Sequence, residues 1–171
     1  MSGFLCDVRK ACLTVDNSAI FLANIRNIAL NHGCNIIFFN ADNMAGLAHV
    51  EAALRHAFRA AEEETCISRS VEMEALLYAA GSRQCGSAIR FGLHDGMNRV
   101  YLCICPPSAS AWKIIRPLVK EVDDDWEDID SRKITHLMEL FGISPAELHA
   151  IGSHRFKELV LERVAMLEVY R

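Results

Sequence analysis

The run from Ser70 to Leu93, SVEMEALLYAAGSRQCGSAIRFGL, constrains the fold more tightly than any other stretch, because it sets two helix signals on either side of one polar corner. Met73, Leu76, Leu77 and Ala80 recur at helical spacing. Glu72 and Glu74 occupy the first turn, where carboxylates favour the positive end of the helix dipole, and Ser70 stands at the N-cap. Gly81 falls where a left-handed C-terminal residue is wanted, and Ser82 is placed to cap a second helix whose inner face is Cys85, Ala88 and Ile89. The corner Gly81-Ser82-Arg83-Gln84 therefore joins a helix end to a helix beginning. A fresh helix N-terminus carries unpaired backbone N–H groups, and Arg83 and Gln84 in its opening turn suit a phosphate or the edge of a base. The alternative is that both side chains merely cap the neighbouring helix; residue types alone leave the two open.

Around this centre the chain alternates strand and helix signals. Phe4 to Val15 reads as a first strand or hairpin with Cys6, Val8 and Cys12 on its inner face. Asp16-Asn17-Ser18 caps a helix carrying Ile20, Phe21, Ile25, Ile28 and Ala29, which stops at Gly33. Cys34 to Asn40 is a short apolar run expected to be a strand buried on both faces. From Gly46 to Ala61, Leu47, Val50, Leu54, Ala57, Phe58 and Ala61 form one stripe, opposed by Glu51, Arg55, Arg59 and Glu62 on a solvated face. Cys66 to Arg69 links to the central pair, and Arg69 is placed to reach the same corner as Arg83.

After a turn at His94 to Asn98, Val100 to Cys105 reads as a second apolar strand, with Val100, Leu102 and Ile104 facing one way and Tyr101, Cys103 and Cys105 the other. Ser108 or Ser110 caps a short helix with Trp112, Ile115 and Leu118, bent near Pro117. Glu121 to Asp130, EVDDDWEDID, is an acidic block expected to be a solvated loop or edge that repels RNA wherever it lies. The last third is helical: Ile134, Leu137, Met138 and Phe141 stop at Gly142, and Ser144-Pro145-Ala146-Glu147 has capping-box spacing with proline at the first helical position. In the final helix Phe156, Leu159, Val160, Val164 and Leu167 are joined by Leu161, Met166 and Val169. That width suits either a fully packed terminal helix or a surface for a partner.

These signals describe an α/β (α+β) fold: a small mixed or antiparallel sheet covered by helices, with a helical C-terminal third. The 171 residues suit a single domain, residues 1–171, able to bury a core without metals or disulfides. A net charge of -4 speaks against indiscriminate nucleic-acid binding, so any RNA contact must be a local site. The seven cysteines, Cys6, Cys12, Cys34, Cys66, Cys85, Cys103 and Cys105, contain no CxxC pair and read as reduced, buried thiols. No charged-then-apolar leader and no apolar stretch long enough for a bilayer are present, so a cytoplasmic protein with no membrane partner is expected. There is no phosphate loop, no GxGxxG and no GxSxG elbow, and the histidines form no zinc grip; neither a metal nor a cofactor is expected. The one catalytic candidate is Cys85, a thiol in a helix's first turn beside Arg83, which would need a histidine base.

The acidic helix start followed by LLYAAGSRQ, then the small-residue helix with Ala88 and Ile89, then FGL, resembles the kinase-binding small subunit of the KEOPS complex, the PRPK-binding protein family. Lys133-Ile134, Phe141-Gly142-Ile143-Ser144, Glu147-Leu148 and the run Glu158 to Leu167 are similar to that family's closing helices. Cys85 stands where the family more often carries isoleucine, and Gly86 costs the second helix about 1 kcal/mol against alanine. The resemblance implies a non-enzymatic subunit of the assembly that makes threonylcarbamoyl-adenosine beside the anticodon of tRNAs. It implies direct binding to the kinase-like ATPase subunit, indirect association with the catalytic transferase and the dimerising subunit, and receipt of the tRNA 3′ CCA end. On these residues the expected RNA site is Ser82, Arg83, Gln84, Cys85, Ile89 and Arg69, and the expected kinase face is Val160, Val164 and Leu167. The competing classes are a cysteine-dependent enzyme of a small substrate using Cys85, and a kinase scaffold without RNA contact.

Overall fold

The computed structural model describes residues 5–170, which divide into two units, 5–40 with 92–124 and 41–91 with 125–170. Phe4, part of the expected first strand, lies outside the described residues.

The first unit is built on a four-stranded antiparallel sheet of order β2-β3-β1-β4, with β1 Asp7–Val15, β2 Asn35–Asn40, β3 Gly96–Cys105 and β4 Lys120–Glu121. Asn17 accepts the Ile20 N–H to start α1, Ser18–His32, and Gly33 ends it in the left-handed region at φ 61°. Ser108 caps α5, Ala109–Ile115, whose last turn tightens at Arg116–Leu118 around Pro117. Helices α1 and α5 cover one sheet face with Ile25, Ala29, Ala111, Trp112 and Ile115, against Ala11, Leu13, Ile36, Phe38, Val100, Leu102 and Ile104. The opposite side of β2 and β3 is equally buried, with Ile37, Phe39, Tyr101 and Cys103 at most 2% exposed. The alternation expected for β3 and the two-sided burial of β2 are both present.

Two expectations fail here. The inner face of β1 is Ala11, Leu13 and Val15 rather than Cys6, Val8 and Cys12, because the strand pairs with β3 in the register Ala11↔Val100 and Leu13↔Asn98. That one-residue phase exchanges the faces. The cysteines are also not uniformly reduced and buried. Beyond the pair Asp7↔Ile104, Cys6 lies opposite Cys105 with Cα atoms 4.4 Å apart, and the two form a disulfide across 99 residues of sequence. Cys66 and Cys85 are exposed, Cys12 and Cys34 half-buried, and only Cys103 is an enclosed thiol, its pKa pushed up by burial.

The second unit is helical: α2 Leu47–Glu62, α3 Val71–Ala80, α4 Cys85–Ala88, α6 Ser131–Phe141, α7 Pro145–Ile151 and α8 Phe156–Tyr170. Ser70, Asp130 and Ser144 each accept a backbone N–H at the start of the helix that follows, and Gly81 and Gly142 end α3 and α6 with positive φ. The core joins Val50, Leu54 and Ala57 of α2 to Leu77 and Tyr78 of α3 and to Leu137, Phe141, Leu159, Val160 and Val164. His49, Phe91 and Phe141 meet edge to face, with ring centroids 5.6 to 6.4 Å apart. The acidic block is not wholly solvated: Trp126 is buried, and the Glu127 carboxylate accepts the Leu47 N–H at 2.6 Å at the start of α2 and lies 3.0 Å from Lys157 Nζ. Burial works against the charged form of Glu127, yet these donors hold its pKa below the usual range.

Candidate functional site

The two ends of α3 form from similar residue types and come out chemically opposite. At its start, Glu74 is fully buried rather than solvated in the first turn. Its Oε1 accepts the Ile67 N–H at 3.0 Å, and its Oε2 accepts the Ser68 N–H and Ser68 hydroxyl, each at 2.8 Å. A buried carboxylate held by three donors organises the loop before the helix and is not a binding group.

At the other end, Gly81 turns the chain at φ 60°, and a Cβ there would stand 2.9 Å from the Arg163 carbonyl oxygen of α8. The corner is thus seated against α8 by a contact that only glycine permits. Beyond it Arg83, Gln84 and Cys85 are exposed, and Ile89 is 58% exposed. The Ser82 hydroxyl accepts the Gln84 N–H at 3.1 Å, and Arg83 Nη1 donates to the Tyr170 carbonyl at the end of α8 at 2.9 Å. Among the described residues Arg83 is oriented by a neutral carbonyl and meets no carboxylate. Four expected RNA-site residues in sequence, Ser82 to Cys85, are brought together on one surface.

The expected inner face of the second helix is reduced to Ala88. Cys85 and Ile89 point outward because α4 is a single turn that passes directly into a tighter turn at Ile89–Phe91, and Gly86 within it withdraws helix propensity. One turn aligns too few peptide dipoles for a strong anion site, so charge at this corner resides in Arg83 itself. Arg69 is not part of the group. It is exposed at the other end of α3, and the ten residues of that helix span about 15 Å, which an arginine side chain does not bridge.

The expected kinase face is also corrected. Val160 and Val164 are fully buried and Leu167 is 4% exposed, so all three belong to the core. The outer stripe of α8 is instead Glu158, Glu162, Ala165 and Val169, acidic at its start and apolar at its end. Glu168 is held inward, accepting from the Tyr78 hydroxyl at 2.7 Å and lying 3.2 Å from His56 Nδ1, with His56 stacked on Tyr78. Sequence reasoning missed Tyr170, which faces solvent beside Arg83. No local signal could have revealed it, since the two residues are 87 apart in sequence. Cys85 is a free, exposed thiol, and among the described residues no histidine hydrogen-bonds its sulfur.

The sequence profile of kinase binding protein CGI-121 matches residues 13–168 and so runs through both units, the corner and α8. The chain belongs to the CGI-121 family. Regulatory protein Cgi121 of Methanocaldococcus jannaschii is 33% identical over 148 residues, covering 86% of this chain and 92% of the archaeal protein. The CGI-121 family is described by what it binds, and the architecture agrees with the expected one, an antiparallel sheet with a helical C-terminal third. Among the described residues no helix is long and apolar enough to cross a membrane.

Proposed function

We propose that this CGI-121 protein acts as one domain, a non-catalytic regulatory subunit of the KEOPS tRNA-modifying assembly in the cytoplasm. In this reading it binds the kinase-like ATPase subunit directly, meets the transferase and the dimerising subunit through that kinase, and receives the 3′ CCA end of tRNA. The observation that carries the RNA half is the exposed corner of Arg83, Gln84 and Cys85, with its guanidinium held by the Tyr170 carbonyl. Single-stranded RNA is recognised through splayed bases and a few phosphates, so a chain of net charge -4 needs only one such site. Arg83 supplies a charge-assisted contact to a phosphate, and Gln84 a base-edge hydrogen bond. Ile89 and the Tyr170 ring provide apolar or aromatic surface for a base. The kinase half rests on the family membership, and the outer end of α8 at Ala165 and Val169 is the apolar surface proposed for it.

Gel shifts with intact tRNA and with tRNA lacking CCA test the first half: the shift is expected only for the intact form. Equal shifts would leave a kinase scaffold. Pull-down of the kinase by a Val169→Glu variant that keeps its thermal midpoint tests the second half; the expected result is loss of capture, and full capture would move the kinase face elsewhere.

A further inference from the structure

A groove of about 530 Å³ opens in the first unit, lined by Arg9, Ala109, Trp112, Lys113, Arg116 and Pro117. It lies where β1 changes character. Ala11, Leu13 and Val15 fill the face that α1 and α5 cover, but the same face carries Asp7 and Arg9 at the strand's beginning. There the Trp112 indole donates to Asp7 Oδ2 at 2.7 Å, and the Arg9 guanidinium lies 4.1 Å from the Trp112 ring centre. Arg9 also donates to Asp7 at 3.1 Å and to Glu121 at 3.0 Å. Arg116 Nε approaches the same Glu121 oxygen to 3.8 Å while its side chain stays 63% exposed, and Lys113 is exposed one turn earlier.

We infer that this groove docks an acidic segment of a partner protein, whose carboxylates extend the row that Glu121 begins. The inference concerns residues outside the tRNA corner and does not rest on that reading. Glu121 already shows what the groove recognises, a protein carboxylate shared between two guanidinium groups. Guanidinium forks match carboxylates in geometry, and the exposed side of Arg116 together with one further cation, Lys113, faces the rim where the next acidic side chains would fall. Ala109 and Pro117 give flat apolar walls for the methylenes between those charges. Three cations against Asp7 and Glu121 leave the groove with one net positive charge on a chain that is negative overall.

Nucleic acid fits less well. The Trp112 ring is 4% exposed and covered by Arg9, so it offers no face for base stacking.

The test uses the full chain and a fluorescein-labelled peptide of alternating glutamate and alanine, read by fluorescence anisotropy at low salt. A single-stranded RNA of equal charge serves as competitor. The parent is expected to bind the peptide, and the Lys113→Glu, Arg116→Glu double variant to bind it at least tenfold more weakly. Both positions are exposed, so an unchanged thermal midpoint is expected to accompany the loss. A parallel Lys113→Arg, Arg116→Lys variant should retain most of the affinity. No binding by the parent, equal binding by the charge-reversed variant, or stronger displacement by RNA than by unlabelled peptide would each overturn the inference.

Discussion

The two ends of α3 are the instructive comparison. At the start, a charged side chain is enclosed and every oxygen of Glu74 is spent on the fold; at the end, Arg83 keeps its charge in solvent while a carbonyl fixes its direction. The same helix therefore carries a structural charge and an available one. Which is which depends on what lies opposite in space: the loop 66–70 wraps Glu74, whereas Gly81 turns the chain onto α8 and leaves the next residues outside.

The largest expected effect breaks the first end. Glu74→Leu leaves the Ile67 and Ser68 donors without an acceptor and should cost about 3 kcal/mol or more of unfolding free energy, measured in urea. A cost below about 1 kcal/mol would mean that the loop finds other acceptors. The next effect comes from acid. His49 is buried beside the end of α3, accepting the Ala45 N–H at Nδ1 and donating from Nε2 to the Ala79 carbonyl. Burial lowers its pKa from 6.5 to about 4. The unfolded chain thus binds the proton more readily, so stability is full above the unfolded pKa and is lost as pH falls toward about 4. His49 alone should remove on the order of 2 to 3 kcal/mol between pH 7.5 and 4.5. Half-buried His56 acts with the same sign. A flat stability profile over that interval would mean that native His49 takes up a proton as readily as it does in the unfolded chain.

Smaller changes sharpen the second end. Gly81→Ala forces a side chain into the left-handed region and against the Arg163 carbonyl, so a loss of about 2 kcal/mol is expected by urea unfolding. A Cβ on Gly86 meets nothing within 4 Å, and Gly86→Ala should stabilise by about 0.5 to 1 kcal/mol, raising the thermal midpoint slightly.

Local chemistry made much of this legible in advance. Ser70, Asn17, Ser108 and Ser144 cap the helices they precede in sequence, and Gly33, Gly81 and Gly142 end theirs, because capping involves residues within a few positions of each other. The alternation of Val100 to Cys105 likewise fixed its two faces. Contacts across long separations were not legible. The phase of β1, the Cys6–Cys105 bridge, the burial of Glu74 and the hold of Tyr170 on Arg83 depend on register and helix packing, which leave no mark in the spacing of either partner. Val160 and Val164 show the same limit in reverse: a wide apolar helix has the same sequence whether neighbours or a partner cover it, and here the neighbours do.

The most direct test of the available charge is the affinity of Arg83→Glu for labelled intact tRNA, with thermal stability followed in parallel. The guanidinium lies at the surface, so stability should stay within about 0.5 kcal/mol of the parent while affinity falls at least tenfold. Unchanged affinity in a folded Arg83→Glu protein would contradict the assignment of this corner to the tRNA end.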